Sequence, residues 1–275
     1  MGFGCNAAGV IGCRIIDSPR ERLIAILTNS FIPCNGRFPG LILLIGVFFA
    51  QGSLISALLL TVLILLAIGM TLLASRLLTA TVLRGVPSSF TLEMPPYRKP
   101  QVGKVLVRSL FDRTLFVLGR AVSVAAPAGL VIWLLANLTV GDVGLLRYIS
   151  DALDPFARFI GLDGVILIAF ILSFPANEIV LPIVVMIYLS QGTLIEFTDL
   201  AALRELLTAN GWTPLTALCT MLFSLMHWPC STTLLTIRKE TGSLCWTMLA
   251  AVLPTAFGLI LCAVVAQGAR LLGLA

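Results

Sequence analysis

Charge is what this chain has least of. Asp, Glu, Lys and Arg make up 11% of its 275 residues against 59% hydrophobic ones, and mean hydropathy is +1.05, whereas soluble domains carry about 25% charge. A soluble globular chain is thereby excluded, and a polytopic membrane protein remains. A cleavable leader is missing too: no basic stretch precedes a short apolar core and a small-residue cleavage site, so the first apolar run belongs to the protein. Seven cysteines occur without the short secreted context of a disulfide framework, and the default for each is a small buried hydrophobe. Aromatic groups for stacking are sparse apart from Phe, with three Tyr and four Trp scattered along the chain. The one histidine, His227, sits at an expected helix break, where a lone imidazole more often bonds to backbone than to a metal.

What is present is a set of apolar stretches near the ~20 residues that cross a bilayer. Leu54 to Leu78 is the cleanest, Val122 to Leu138 carries Pro127, and Thr247 to Gln267 is broken only by Pro254. Val165 to Leu189 contains Pro175, Asn177, Glu178 and Pro182, and Leu23 to Ala50 and Pro214 to Ile237 each flank a Pro-Cys pair. These last three are expected to be broken or re-entrant helices. The fold class is therefore all-α, a polytopic transmembrane helical bundle. Its organisation divides into residues 1–82, a first polar-motif region plus a transmembrane helix, residues 83–121, a basic cytoplasmic linker with an amphipathic helix, and residues 122–275, a transmembrane helix and a second motif region.

Basic residues set the orientation. Between Leu83 and Ala121 lie Arg84, Arg98, Lys99, Lys104, Arg108, Arg113 and Arg120 against Glu93 and Asp112, which places this stretch in the cytoplasm and its Val102 onward run on the inner-leaflet lipid. The linker Gly141 to Gly164 is acid-rich and suits the outer side. The loop Gly192 to Trp212 is acid-rich as well, so either it departs from the trend or Pro175 turns its segment back as a hairpin.

Two polar motifs repeat inside the apolar sequence. Gly4-Cys5-Asn6 is followed by Pro33-Cys34, and Phe174-Pro175-Ala176-Asn177-Glu178 is followed by Pro229-Cys230. In hydrocarbon an unsatisfied backbone group costs several kcal/mol, so a helix breaks only where it is buried in protein or lines a cavity. Such breaks mark the substrate sites of discontinuous transporter helices, commonly where two repeats meet. Glu178 has no basic neighbour within a turn, and an intramembrane carboxylate needs a partner, a proton or a cation. A protonated carboxyl bonded to a freed carbonyl is its structural alternative. Cys5, Cys34 and Cys230 differ from Cys13, Cys219, Cys245 and Cys262 in lying beside Pro, Asn or Gly at a break. Thiol sulfur with Asn and Glu oxygen is a donor set for a borderline divalent ion. Cys5, Asn6, Cys34, Asn177, Glu178 and Cys230 are the candidate ion-path residues.

Five segments together resemble the membrane domain of ferrous iron transport protein B (FeoB) and its Gate, or nucleoside-recognition, regions. Gly2 to Asn6 and Phe31 to Pro39 are similar to the first Gate, and Leu92 to Pro100 to the segment between Gates. Pro175 to Pro182, and Trp228 to Thr233 with Ile237 to Ser243, are similar to the second. Ala7-Ala8 departs from the Val-Pro usual after the first Cys-Asn, and Asn35-Gly36 from a Ser-Ala pair. The resemblance implies inward Fe²⁺ transport across the bacterial inner membrane, with Cys5, Cys34 and Cys230 as Gate cysteines and Asn6, Asn177 and Glu178 as the polar residues beside them.

The family's G domain needs a Gly-x-x-x-x-Gly-Lys-Ser/Thr run, which this sequence does not contain. GTP binding by this chain alone is not expected, nor enzyme activity. The expectation is a permease portion that binds no cofactor of its own, carries Fe²⁺ as transported ion, and works with a GTPase-domain polypeptide in trans and a FeoA-like small protein. Membrane lipid and a homo-oligomer are further expected partners; nucleic acid is not. A nucleoside or other small-solute permease, and a truncated nonfunctional or regulatory membrane subunit, stay open as alternatives.

Overall fold

The computed structural model describes residues 2–49, 53–85, 101–108, 110–111, 115–140, 143–189 and 199–273. The Leu92 to Pro100 motif and Glu196 lie outside them, as do Arg98, Lys99 and Arg113 of the seven basic residues counted between Leu83 and Ala121. The chain forms thirteen described helices, with one two-residue β-ribbon pairing Thr139–Val140 with Val143–Gly144. They are α1 (Asn6–Gly12), α2 (Pro19–Thr28), α3 (Phe38–Phe48), α4 (Ser53–Ala80), α5 (Val102–Arg108), α6 (Phe116–Asn137) and α7 (Leu145–Phe159). There follow α8 (Gly164–Leu172), α9 (Val180–Tyr188), α10 (Leu200–Ala209), α11 (Pro214–Met226), α12 (Ser231–Thr241) and α13 (Leu244–Leu271).

Among the described residues two helices, α4 and α13, are long and apolar enough to cross a bilayer unbroken, and the α2–α3 segment is so across its break. Leu58, Val62, Leu65 and Leu72 on α4 and Val252, Ile260 and Val264 on α13 are all exposed, as side chains facing lipid would be. Pro254 does not interrupt α13, and Pro127 does not interrupt α6. A proline removes one backbone bond and kinks a helix, whereas a full break in lipid would leave several groups without partners.

All three segments expected to break do so. Between α2 and α3 the chain passes through 3₁₀ turns at Asn29–Phe31 and Asn35–Arg37 with extended backbone at Ile32 and Cys34. Between α8 and α9 lies a turn ending in the 3₁₀ segment Asn177–Ile179. Between α11 and α12, His227 and Cys230 leave helical geometry.

Pro175 turns its segment back. Asp163, the N-cap of α8, accepts a hydrogen bond from the hydroxyl of Tyr188, the last residue of α9, so the two ends of α8–α9 lie together and the segment is a re-entrant hairpin. Trp212 Nε1 donates to the same hydroxyl at 2.8 Å, and its ring stacks on Phe48 with centroids 6.0 Å apart. The end of α3, both ends of the hairpin and the start of α11 therefore share one end of the molecule. Gln267 at the end of α13 joins them by donating to Phe159 O at 2.7 Å. At the opposite end Arg20 Nε donates to Leu83 O, and Arg14 forms a two-point pair with Glu240 at 2.8 and 2.6 Å. Start of α2, end of α4, and end of α12 meet there.

It follows that α2–α3 and α11–α12 run in opposite directions, and that α1 and α9 leave their breaks toward opposite ends. The two motif-bearing regions are an inverted repeat. The described parts of the acid-rich segments on either side of α8–α9, residues 143–164 and 199–212, fall at one end, which removes the conflict in the charge pattern. They are not loops, however. Gly141 to Gly164 contains α7, bent by 109° against α8, and Gly192 to Trp212 contains α10. Both are amphipathic: α7 buries Leu146, Ser150 and Ala157, and α10 buries Leu203 and Leu207. Close approach of α7 to α8 depends on Gly164, where a Cβ would stand 1.9 Å from Ser150 O.

Candidate functional site: a junction of helix breaks

Four motifs meet here: three interrupt helices and the first, Gly4-Cys5-Asn6, begins α1; three of the four place a cysteine at the same local position. Cys5, Cys34 and Cys230 are the N-cap residues of α1, of the Asn35–Arg37 turn leading into α3, and of α12. The residue after each Pro-Cys pair then reaches back to the other motif of its own half. Asn35 N donates to Gly4 O at 3.0 Å, and Ser231 N donates to Phe174 O at 3.0 Å. Gly4 precedes Cys5-Asn6, and Phe174 precedes Pro175-Ala176-Asn177, so one hydrogen bond occurs twice, related by the inverted repeat.

Asn6 is buried, and its work is local. With its carboxamide turned to suit its surroundings, the amide donates to Gly2 O at 3.0 Å and Ile32 O at 3.2 Å, pinning the first break to the second. Asn29 Nδ2 in turn donates to Asn6 O at 2.8 Å. Asn177 faces His227 instead: His227 Nδ1 lies 2.9 Å from Ser224 O, and Nε2 lies 3.3 Å from Asn177 Oδ1. A neutral ring that donates from Nδ1 to the carbonyl must accept at Nε2, so the Asn177 carboxamide turned by half a rotation meets it with NH₂ and frees its oxygen. His227 is wholly buried among Phe170, Phe223 and Trp228, as a backbone-bonded histidine rather than an open ligand.

Glu178 is exposed and stands beside the second break, its Oε2 3.8 Å from where a Cβ at Gly36 would lie. Cys5 is exposed, Cys34 and Cys230 are half-buried, and Cys230 Sγ lies 3.2 Å from Thr233 Oγ1. Among the described residues no group of three or more His, Cys, Asp or Glu side chains stands close enough to hold a metal ion. The junction therefore joins the motifs without gathering Cys5, Cys34, Glu178 and Cys230 into one closed centre. Of the other cysteines, Cys219 and Cys262 are buried, with Cys262 Sγ donating to Cys219 O, while Cys245 is exposed at the start of α13.

The residue that sequence reasoning passed over is Arg37. It is 1% exposed, and its guanidinium donates to Ser30 O at 3.1 Å, Leu225 O at 2.7 Å, His227 O at 3.0 Å and Trp228 O at 3.4 Å. These carbonyls stand at the C-terminal ends of the half-helices before the two Pro-Cys pairs, where carbonyls have no intrahelical partner. Among the described residues no carboxylate pairs with Arg37, and its Nε has no hydrogen-bond partner. A cavity of about 20 Å³, room for one water, is lined by Arg37, Asn177, Glu178, Thr220 and Ser224. The signal was available: a lone Arg between apolar runs is rare enough to mark a site by itself.

Broken helices paired by an inverted repeat, with polar side chains and freed carbonyls at the meeting point, define a multi-pass membrane protein with the architecture of discontinuous-helix proteins. Residues 118–244 match the family described as "Nucleoside recognition" (Gate), and residues 60–112 match "Ferrous iron transport protein B C terminus". The chain belongs to the FeoB family and corresponds to its C-terminal membrane portion. It is 34% identical over 266 residues to the Fe(2+) transporter FeoB of Staphylococcus aureus strain MSSA476, covering 92% of this chain and 37% of that protein. It is 26% identical over 297 residues to a Fe(2+) transport protein A/Fe(2+) transporter FeoB fusion protein of Porphyromonas gingivalis, covering 90% and 34% respectively. With the Leptospira biflexa Fe(2+) transporter FeoB it shares 24% identity over 292 residues, 98% of this chain and 42% of that protein. The chain thus spans little more than a third of the length of these relatives. No solved structure matches it.

Proposed function

We propose that this chain is a ferrous iron permease unit and that the ion crosses where the four motifs meet. The reading is supported most by the twice-occurring hydrogen bond, Asn35 N to Gly4 O and Ser231 N to Phe174 O, which brings both motifs of each half to one place. The names of the relatives supply the ion. Cys34 and Cys230 offer sulfur from equivalent N-cap positions, Glu178 and Asn177 offer oxygen beside them, and Cys5 stands at the exposed edge. Asn6 shapes the first break. With no closed centre among them, these groups act as successive, incomplete coordination steps, which suits an ion that must leave as well as enter.

The basic end, with Arg14, Arg20, Arg84, Arg238 and Lys239, faces the cytoplasm of a bacterial inner membrane by the positive-inside rule. Energy or gating comes from a GTPase-domain polypeptide, with a FeoA-like partner, and homo-oligomers form in lipid. The test is thermal stabilisation of the purified protein in detergent. Fe²⁺ under reducing, anaerobic conditions is expected to raise the melting temperature, and a panel of nucleosides is not. Stabilisation by nucleosides alone would favour an organic-solute permease.

A further inference from the structure

Arg37 presents a chemical problem that its packing role does not exhaust. A guanidinium out of water and without a carboxylate is costly unless its surroundings compensate, and among the described residues its hydrogen-bond partners are all backbone carbonyls. Ser30 O belongs to the turn that ends α2, and Leu225 O, His227 O and Trp228 O belong to the end of α11. Free carbonyls at half-helix C-termini carry partial negative charge and form the cation sites of broken-helix transporters. Both halves of the repeat contribute such an end to this cradle, and the group lying in it is a side chain of the protein itself.

The position of that charge matters for the ion. Arg37 follows Cys34 by three residues, and its carbonyl partners His227 and Trp228 precede Cys230 by three and two. Its hydrogen bonds to Ser30 O on one side and to Leu225 O, His227 O and Trp228 O on the other place the guanidinium between the two Pro-Cys breaks. Because Arg stays protonated, the charge is permanent.

We propose that Arg37 is the built-in cation of the junction: its guanidinium fills the carbonyl cradle and its fixed charge keeps a divalent transition-metal ion from settling tightly between the Cys34 and Cys230 breaks. The proposal rests on the reading that those breaks line the ion path. Sulfur donors hold late transition metals firmly, and an ion held firmly is not delivered. A fixed positive charge nearby lowers affinity for every divalent ion and leaves the order of donors unchanged.

Two measurements test it. In the first, Cd²⁺ binding is followed by sulfur-to-metal absorbance in wild type, Arg37→Gln, which removes the charge, and Arg37→Lys, which keeps it without the fork. Arg37→Gln is expected to bind Cd²⁺ at least about tenfold more tightly than wild type, with slower release, and Arg37→Lys to resemble wild type. A folded Arg37→Gln with unchanged or weaker affinity overturns the proposal, since a purely structural arginine predicts that result. The second uses wild type alone. Anionic and cationic methanethiosulfonate reagents of similar size are compared at Cys34 and Cys230 by peptide mass spectrometry, relative to a free thiol in solution. An anionic preference of about threefold or more is expected; a ratio at or below one overturns the proposal even if Arg37→Gln fails to fold. If wild type binds no Cd²⁺ or Fe²⁺ at all, the permease reading fails, and the reagent ratio still decides the charge at Arg37.

Discussion

The Tyr188 hydroxyl donates to the Asp163 carboxylate across 25 residues of chain, closing the mouth of the α8–α9 hairpin. Asp163 also accepts from Ile166 N at 2.6 Å as the α8 N-cap, and Trp212 Nε1 donates to Tyr188 at 2.8 Å. One carboxylate thereby starts a helix, fastens the end of its return helix, and links both to the entry of α11. Tyr188→Phe should leave the Trp212 donor and one carboxylate oxygen without their partner. The expected cost is about 1–3 kcal/mol, read as a lower melting temperature in detergent. Trp212→Phe keeps a ring to stack on Phe48 and should cost less. Equal stability of Tyr188→Phe and wild type would mean that apolar packing alone closes the hairpin.

How much of this was legible in the sequence depends on where the physical cause lay. Pro33-Cys34, Pro175 and Pro229-Cys230 announced breaks because proline among polar neighbours is costly in hydrocarbon unless the helix opens against protein or a cavity. Pro254 belongs to no such motif, and α13 loses one backbone bond there and continues. The direction of the hairpin was invisible because Asp163 and Tyr188 are each ordinary in their local context; only their meeting fixes it. Helices α7 and α10 were masked by charges that suggested loops, although Leu146, Ser150 and Ala157 in the first, and Leu203 and Leu207 in the second, recur at helical spacing on their buried faces. Arg37 is legible as a lone charge between apolar runs, but its cradle is not, since three of its four carbonyl partners lie 188 to 191 residues away. No local pattern encodes that.

The inverted repeat makes a topological prediction. Asp151→Cys on α7 and Asn210→Cys after α10 should react with a membrane-impermeant maleimide from the same side of the bilayer. Arg84→Cys, at the end holding Arg20 and Leu83, should react from the other. Labelling of Asp151→Cys and Asn210→Cys from opposite sides would mean that α8–α9 crosses the membrane rather than turning back.

Gly9 measures how tightly the first break is held. A Cβ there would lie 2.4 Å from Asn29 Oδ1 and 3.1 Å from its Cγ, and Asn29 is the residue that bonds Asn6 O. Gly9→Ala should force Asn29 aside and cost about 1–3 kcal/mol, the usual range for overpacking. Gly129→Ala on α6, with nothing within 4 Å of its Cβ position, is the matched control and should be near neutral. The comparison is a pair of melting temperatures, and a smaller effect at Gly9 than at Gly129 would count against the Asn29 clamp.

The ion path itself is tested by separating sulfur from oxygen. Cys34 and Cys230 hold equivalent N-cap positions in opposed halves, so an ion handed between halves meets each in turn, and loss of either should interrupt transfer. Cys34→Ser and Cys230→Ser, reconstituted with the GTPase-domain polypeptide, are expected to lower Fe²⁺ uptake at least about tenfold while membrane insertion is unchanged, a barrier of roughly 1.4 kcal/mol or more. Glu178 is exposed beside Gly36 rather than enclosed, so its carboxylate should concentrate the ion at the entrance. Glu178→Gln is therefore expected to raise the Fe²⁺ concentration for half-maximal uptake more than it lowers the maximal rate. The two classes of variant thus fail differently, in rate for the thiols and in apparent affinity for the carboxylate. If uptake by both cysteine variants equals wild type, Cys34 and Cys230 serve packing at the breaks, and the ion crosses elsewhere in the bundle.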